Sequence, residues 1–340
     1  MSGARVPRVA FEHGSRLVTL ALVLLIVALV LPPVKLPRDT YDYVVVFDIT
    51  QSMNVEDYEL DGAPVNRLAY AHAAARHALR ELPCGSRIGW GAFTGYRTVL
   101  LLAPVEVCAN YSDLLASLDE IDGRMRWSNA SEIMKGVYWA VLTAQETTGK
   151  PDLVFLSDGQ EAPPLDPVFA PHMLDELKGS PIHGWLIGTG SPVPSPIPRI
   201  DEDGRRQGYW QADEVVQTPQ WLRKPSATSG EHLSGLREAH LRALAGQVRF
   251  DYARLGDLGS LSTAMRDHRF ARRRATPTDL SWLPAALAMV LLAVRFRPDG
   301  LWRTPGRVHD PGQGQRQHDQ MQRDPKAHQL AKLGHEPHGE

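Results

Sequence analysis

Oxygen-bearing side chains occur together where the first strongly apolar segment of the chain ends. Residues 43–49 are almost wholly apolar, and Asp48, Thr50 and Ser52 come at their end, spaced two apart. A carboxylate and two hydroxyls at that spacing can face one point. Oxygen-only ligands suit a hard cation such as Mg²⁺. The pattern therefore predicts a divalent-cation site that includes these three residues.

Two later loops have the same character. The apolar run at residues 152–157 leads to Asp158, and the polar loop at residues 128–132 opens a helix at Ser131. Taken singly, Asp48 and Asp158 could be turn formers, and Ser131 could be only a helix cap. All three loops are expected at one edge of one sheet, which favours a shared site.

The segments between these loops alternate between strand-like and helix-like patterns. Strands are predicted at residues 43–49, 86–93, 99–104, 152–157, 182–187 and 248–252, and helices at 67–82, 112–121, 131–143 and 233–244. This alternation predicts an α/β fold with a doubly wound, mostly parallel sheet and one antiparallel edge strand from the hairpin at 86–104. Ligands of such sheets bind at the carboxyl ends of the strands.

The three loops together resemble the metal-ion-dependent adhesion site of von Willebrand factor A (vWA) domains. The usual motif is DxSxS…T…D, and here Thr50 and Ser131 keep the hydroxyl of the residues that they replace. The resemblance covers about residues 40–270. It implies that Asp48, Ser52 and Ser131 are direct or near-direct ligands of Mg²⁺, Ca²⁺ or Mn²⁺. Thr50 and Asp158 would contact the cation directly or through water.

Two uncharged apolar segments flank this region. The first, from residue 17, follows three arginines, and the second, from residue 280, precedes three, Arg295, Arg297 and Arg303. Both favour membrane spans, although a cleavable signal peptide and a buried helix are the respective alternatives. The predicted organisation is a cytoplasmic N-terminus at 1–16, a transmembrane anchor at 17–34, a vWA domain at 38–275, a second transmembrane helix at 280–296 and a disordered polar tail at 300–340.

The two cysteines bear on this topology. In a hairpin centred on Tyr96, Cys84 lies opposite Cys108, so the pair can form a disulfide in an oxidising compartment. Two unrelated buried thiols are the alternative. A disulfide agrees with a vWA domain on the periplasmic side of the inner membrane.

The membrane layout, the DITQSM motif and Asn66-Arg67-Leu68 resemble the BatA/BatB type of bacterial membrane vWA proteins. Similar proteins occur in methanol-oxidation gene clusters, and Gly208-Tyr209-Trp210 favours that branch. The resemblance implies a protein partner that supplies an Asp or Glu to the cation, together with a MoxR-type ATPase and other membrane vWA proteins. The implied role is maturation of a periplasmic methanol dehydrogenase; a stress or aerotolerance complex subunit is the alternative.

Composition excludes other classes of function. Lys and Arg total 37 against 39 for Asp and Glu, a balance that does not suit nucleic-acid binding. The loops offer no paired nucleophile and base, so the chain is expected not to be an enzyme. A metal-dependent hydrolase and a structural subunit with an empty site are the rival interpretations.

Overall fold

The computed structural model of the 340-residue chain describes residues 8–163, 170–201, 203–215 and 230–297, without the side chains of residues 8–15 and 170–172. The chain divides into two compact units, Met1–Leu22 with Ala288–Glu340, and Val23–Leu287. The polar tail predicted at 300–340 lies outside the described residues, so its disorder stays a prediction.

The described helices and strands have the following bounds. The helices are α1 Arg8–Val30, α2 Arg67–Glu81, α3 Tyr111–Asp119, α4 Ile133–Glu146, α5 Ala170–Asp175, α6 Glu238–Val248, α7 Leu258–Met265 and α8 Trp282–Arg295. The strands are β1 Val34–Thr40, β2 Asp42–Asp48, β3 Tyr58–Leu60, β4 Ala63–Val65, β5 Arg87–Thr94, β6 Arg97–Glu106, β7 Asp152–Ser157, β8 Gly184–Gly188, β9 Ser195–Pro196, β10 Pro198–Ile200, β11 Arg206–Tyr209, β12 Leu233–Ser234, β13 Asp251–Arg254 and β14 Arg272–Thr278.

Six strands form the central sheet, in the order β13-β8-β7-β2-β5-β6. Every neighbouring pair is parallel except β5 and β6, which form the predicted antiparallel edge. The α/β, mostly parallel sheet predicted from the sequence is therefore confirmed. Strand order reverses between β2 and β7, and this reversal is where such sheets bind ligands.

Helices cover both faces of the sheet. Residues of β2 alternate between two cores, with Tyr43, Val45 and Phe47 in one and Val44 and Val46 in the other. The first core also contains side chains of α2, α3 and α7, and the second contains side chains of α4, α5 and α6. Burial on both faces explains why β2 has a continuous apolar sequence rather than an alternating one.

The edge hairpin is fixed at its base and packed closely at its tip. Cys84 and Cys108 form a disulfide with a Cα–Cα distance of 5.3 Å, as the hairpin symmetry predicted. At the other end, α4 approaches β5 at Gly136, where an added Cβ would lie 2.3 Å from the ring of Phe93. Glycine is thus required there for the helix to pack on the sheet.

Strands β1 and β14 form a separate antiparallel ribbon that the sequence did not predict. Two of its arginines reach carboxylates of the central sheet. Arg274 donates to both oxygens of Asp42 at 3.1 and 2.5 Å, and Arg272 donates to Asp152 at 3.1 Å. The ribbon therefore closes over the amino-terminal edge of β2 and β7, opposite the candidate site.

The two predicted transmembrane segments, 17–34 and 280–296, are not supported by the structure. In the described residues, no helix has both the length and the apolar character needed to cross a bilayer. Helix α1 ends at Val30, where the chain leaves the helix before β1, and α8 contains 14 residues.

Candidate metal site

The predicted site residues lie at the carboxyl ends of β2 and β7, where the strand order reverses. Asp48 is the last residue of β2, and a 3-10 turn at Gln51–Asn54 follows Thr50. The amide of Ile49 still donates to Phe93 of β5 at 3.0 Å, so the sheet holds the backbone up to the start of the loop. The turn then brings Ser52 back toward Thr50, whose hydroxyl lies 3.2 Å from the Ser52 hydroxyl.

Asp48 is completely buried, and its hydrogen-bond donors in the described part of the chain are all uncharged. Its Oδ1 accepts from the amide of Thr50 at 2.9 Å and from the Thr50 hydroxyl at 2.7 Å. Its Oδ2 accepts from the hydroxyl of Ser157 at 2.7 Å. Burial, followed by the nearby charge of Asp158, raises the pKa of Asp48 well above its ordinary value. A cation beside Asp48 would relieve that penalty.

Ser131 is held by its backbone, while its hydroxyl is left unpartnered. Its amide donates to Ala162 at 2.7 Å and its carbonyl accepts from the Ala162 amide at 2.7 Å. The neighbouring Glu132 amide bonds to Gly95 at the hairpin turn. Helix α4 begins at Ile133 with Glu132 as its cap residue, so Ser131 is not the helix cap. Its Oγ is buried and has no hydrogen-bond partner among the described residues.

Asp158 follows β7 and is tied to a buried arginine. Its Oδ2 accepts from Arg67 Nη1 at 2.7 Å and from the Ser234 hydroxyl at 2.6 Å. Its Oδ1 accepts from the amide of Gln160 at 3.0 Å. Both oxygens are therefore engaged, as are those of Asp48, but Asp158 is already paired with a cation, which suits the indirect role that the resemblance allows it.

Arg67 was predicted only as part of the motif Asn66-Arg67-Leu68 and was given no role in the site. It is 0% exposed, and besides Asp158 it binds Asp57, with its Nη2 2.7 Å from Asp57 Oδ2. Asp57 also accepts from the amide of Ser191 at 2.8 Å. Ser157, which donates to Asp48, belongs to the sequence motif Leu156-Ser157-Asp158-Gly159 but was not predicted as a site residue. A polar residue at the last position of an apolar strand was the available signal.

A cavity of about 350 Å³ opens above this cluster. The three predicted hydroxyl residues, Thr50, Ser52 and Ser131, line it, whereas the fully buried Asp48 and Asp158 do not. The structure thus brings all five predicted residues to one place, with hydroxyls at the surface of the cavity and carboxylates behind them.

The residues fit a hard divalent cation. The donors are all oxygens, one hydroxyl is buried with no partner, and none of the ion pairs among the described residues gives Asp48 a cationic partner. Buried polar groups are normally bonded, so an unpartnered hydroxyl that lines the same cavity as Thr50 and Ser52 fits a site for a ligand. Asp48, Ser52 and Ser131 would be the nearest ligands.

Four other carboxylates lie near the site. Glu132 forms an ion pair with Lys135, and Glu161 accepts from the amide of Met134 at 2.9 Å and lies 3.1 Å from the ring of His240; neither lines the cavity above the three hydroxyls. Glu214 and Glu231 do line it. Glu214 pairs with Arg199 at 2.9 Å, and Glu231 accepts from Gln160 Nε2 at 3.2 Å.

Comparison with known proteins gives relatives of low sequence identity. No family model matches the chain. A UPF0353 protein of Mycobacterium marinum is 25% identical over 287 residues, which cover 78% of this chain and 81% of that protein. A UPF0353 protein of Mycobacterium ulcerans is 25% identical over 280 residues, covering 76% and 79%.

Solved structures also match. An aerotolerance-related membrane protein of Bacteroides fragilis has a TM-score of 0.49 at 16% identity, covering 67% of this chain and 98% of that one. BatB of Bacteroides thetaiotaomicron has a TM-score of 0.47 at 17% identity, covering 67% and 97%. The chain resembles vWA proteins of the BatB type, the resemblance that its sequence predicted.

Proposed function

We propose that this chain is a non-enzymatic, membrane-associated vWA-type domain that binds a protein partner through a divalent cation. The cation would be held by Asp48, Ser52 and Ser131, with Thr50 and Asp158 in supporting positions. The buried, unpartnered hydroxyl of Ser131 carries the proposal. A bound Mg²⁺ would supply an electrophilic centre for a carboxylate of the partner.

The chain itself has three tasks in this function. The Thr50 and Ser157 donors fix the orientation of the Asp48 carboxylate. The backbone pairing with Ala162 fixes Ser131. Arg67 neutralises Asp158, which limits the negative charge of the site and leaves a cation able to attract an external carboxylate.

The test is Mg²⁺-dependent stabilisation of the purified full-length protein. Scanning calorimetry should show that Mg²⁺ raises the Tm of the wild type, with a stabilisation of about 2.7 kcal/mol at a hundredfold excess over Kd. Asp48→Asn and Ser131→Ala should lose most of this shift. Ser112→Ala, at an exposed position of α3, is the matched control and should keep it. Equal shifts in all four proteins would show that the site is assigned wrongly.

We further propose that the domain is attached to the inner membrane and lies on its periplasmic side. Apolar side chains are exposed on both terminal helices, including Leu29 on α1 and Met289 on α8. The Cys84–Cys108 disulfide supports an oxidising compartment. Alkaline carbonate extraction of cell membranes is the check, because an attached chain stays in the pellet. Release into the supernatant would contradict the attachment.

The pathway proposals follow from the resemblance. The partner would belong either to an aerotolerance-type membrane complex or to the maturation of a periplasmic methanol dehydrogenase, with a MoxR-type ATPase and other membrane vWA proteins alongside. Pull-down from membranes with the wild type and with Ser52→Ala/Asp158→Ala tests this. If both proteins captured the same partners, cation-dependent adhesion would be contradicted. If the partners were unrelated to a dehydrogenase, only the proposed role in methanol dehydrogenase maturation would be ruled out.

A further inference from the structure

A second cavity, of about 670 Å³, lies beside the one above the three hydroxyls. It is bounded by the loop at residues 126–129 and by residues of the hairpin of β10 and β11. Both sides are attached to Ile200 of the hairpin. The side chain of Gln51 pairs with its backbone at 3.1 and 3.3 Å, and Arg126 Nη2 donates to its carbonyl at 3.3 Å. The cavity is therefore a built feature of the fold.

The charges around this second cavity cancel. Arg126, Arg199 and Asp201 line it, and Arg199 pairs at 2.9 Å with Glu214, which lines the neighbouring cavity. Two positive charges are thus balanced by two negative ones. A charged ligand gains little from such a lining, because attraction to one sign is offset by repulsion from the other. The second cavity therefore suits a neutral ligand.

The same lining offers both donors and acceptors of hydrogen bonds. The exposed side chain of Asn129 makes no hydrogen bond among the described residues. Gln207, also exposed, donates through Nε2 to Asp201 at 2.7 Å, which leaves its carbonyl oxygen as an acceptor. A ligand hydroxyl donates and accepts at once, whereas a phosphate or sulfate only accepts. The mixture favours a ligand that carries several hydroxyls.

Trp127 adds an aromatic face to this lining. It is 50% exposed and has no ring or cation contact in the part of the chain that the structure describes. Trp210 on the hairpin side differs, because the guanidinium of Arg199 lies 4.9 Å from the centre of its ring. An open indole face carries partial negative charge and attracts weakly positive C–H groups. A pyranose ring combines such C–H groups on its face with hydroxyls at its edge.

We propose that the second cavity binds a neutral sugar of one or two pyranose rings, stacked on Trp127 and hydrogen-bonded to Asn129, Asp201 and Gln207. Its volume falls within the range of about 300–1,000 Å³ that is typical of small-molecule sites. The inference goes beyond the proposed function, since none of these four residues belongs to the candidate metal site.

The test measures sugar binding to the full-length protein in EDTA by tryptophan fluorescence and calorimetry. The neutral probes are glucose, N-acetylglucosamine, cellobiose and N,N′-diacetylchitobiose, and the charged analogues are glucuronate and glucosamine. At least one neutral sugar should bind, and glucose should bind more tightly than its two charged analogues.

Variants locate the bound sugar. Trp127→Ala should weaken binding about tenfold, and Trp127→Phe should keep part of the affinity because it retains an aromatic face. Gln207→Ala should weaken binding through the lost hydrogen bond. The matched control is Trp282→Ala, at a tryptophan on α8 that is 62% exposed, and it should bind as the wild type does.

Three results would overturn the inference. The first is that no neutral sugar binds at up to about 100 mM, far above the millimolar range of weak ligands. The second is that glucuronate or glucosamine binds more tightly than glucose, which would contradict a neutral ligand. The third is that Trp127→Ala loses no more affinity than Trp282→Ala. Because EDTA is present throughout, none of these results bears on the proposed cation function.

Discussion

Replacing Arg67 by Met should cost the protein a large part of its stability. The guanidinium is 0% exposed and joins Asp57, Asp158 and Ser234, with contacts of 2.7 Å to each carboxylate and 2.6 Å to the hydroxyl. Methionine has a similar length and fills much of the volume, so the change removes the charge and the hydrogen bonds more than the packing.

The size of the stability loss follows from the two buried carboxylates that Arg67→Met leaves without a cation. Without Arg67, Asp158 stays at 0% side-chain exposure and Asp57 at 8%, and neither has another cationic partner among the described ion pairs. Removing one member of a buried ion pair costs about 3–5 kcal/mol, because the other charge is left uncompensated. Small domains have only about 5–15 kcal/mol in total. Arg67→Met should therefore leave the protein only marginally stable.

Urea unfolding, followed by tryptophan fluorescence in EDTA with the disulfide intact, measures this loss. The matched control is Arg76→Met, since Arg76 pairs with Asp119 on the surface and should cost under about 1 kcal/mol. Arg67→Met/Asp158→Asn should be more stable than the two single losses predict, with a coupling energy of about 1–3 kcal/mol. A loss in Arg67→Met no larger than in Arg76→Met would refute the reasoning.

Three further changes have expected outcomes. Burial lowers the pKa of His72 from 6.5 to about 4, so the unfolded state binds the proton first and stability falls as the pH falls from about 6.5 to 4. His72→Leu should remove roughly 3 kcal/mol of that decline, measured by urea unfolding at a series of pH values. If the stability of the two proteins changed with pH in the same way, the prediction would be contradicted. Reducing the Cys84–Cys108 disulfide, whose partners are 24 positions apart, should lower the free energy of unfolding by roughly 3–4 kcal/mol. If alkylation without reductant labelled two free thiols, the disulfide would be absent from the native protein. Gly136→Ala should destabilise the protein by about 1–3 kcal/mol, because the added Cβ meets the ring of Phe93. Gly246→Ala on α6, where nothing lies within 4 Å of the added Cβ, should stabilise it by up to about 1 kcal/mol. Tm shifts of the same sign in the two variants would contradict these predictions.

Local sequence patterns predicted the sheet well where strands are buried on both faces. Strand β7 has the predicted bounds, Asp152–Ser157, and β2 differs from its prediction by one residue at each end. Continuous apolar runs leave little ambiguity when both faces are covered. The antiparallel edge was predicted because the turn at Gly95 separates two such runs.

The ribbon of β1 and β14 could not be predicted in this way. Strand β14 has the sequence RRRATPT, which contains no apolar alternation. It is held instead by ion pairs to Asp42 and Asp152, distant in sequence from their arginines. Helix α7 was missed for a different reason. Its sequence LGSLSTAM has weak periodicity, although the capping box of Asp257 and Ser260 was a usable signal.

The sequence predicted which residues form the site, but not the residues that hold them in position. Spacing alone indicates that Asp48, Thr50 and Ser52 can converge. Arg67 contributes through its contacts with Asp158 and Ser234, which lie 91 and 167 positions away from it in the sequence. No local pattern contains that information, because a single arginine at a helix start is usually solvated.

Arg67 and its partner Asp57 also bind both ends of the segment from Ser191 to Ser234. Its described residues Ile197, Trp210 and Glu231 form part of one wall of the cavity above the three hydroxyls. The Ser191 amide reaches Arg67 through Asp57, and Ser234 contacts Arg67 directly. The entropy of closing a loop grows only with the logarithm of its length, so doubling the segment would cost about 0.6 kcal/mol. Evolution can therefore lengthen, shorten or rewrite this wall while its two attachment points and the sheet beneath stay unchanged, and partner choice can diverge without loss of the fold.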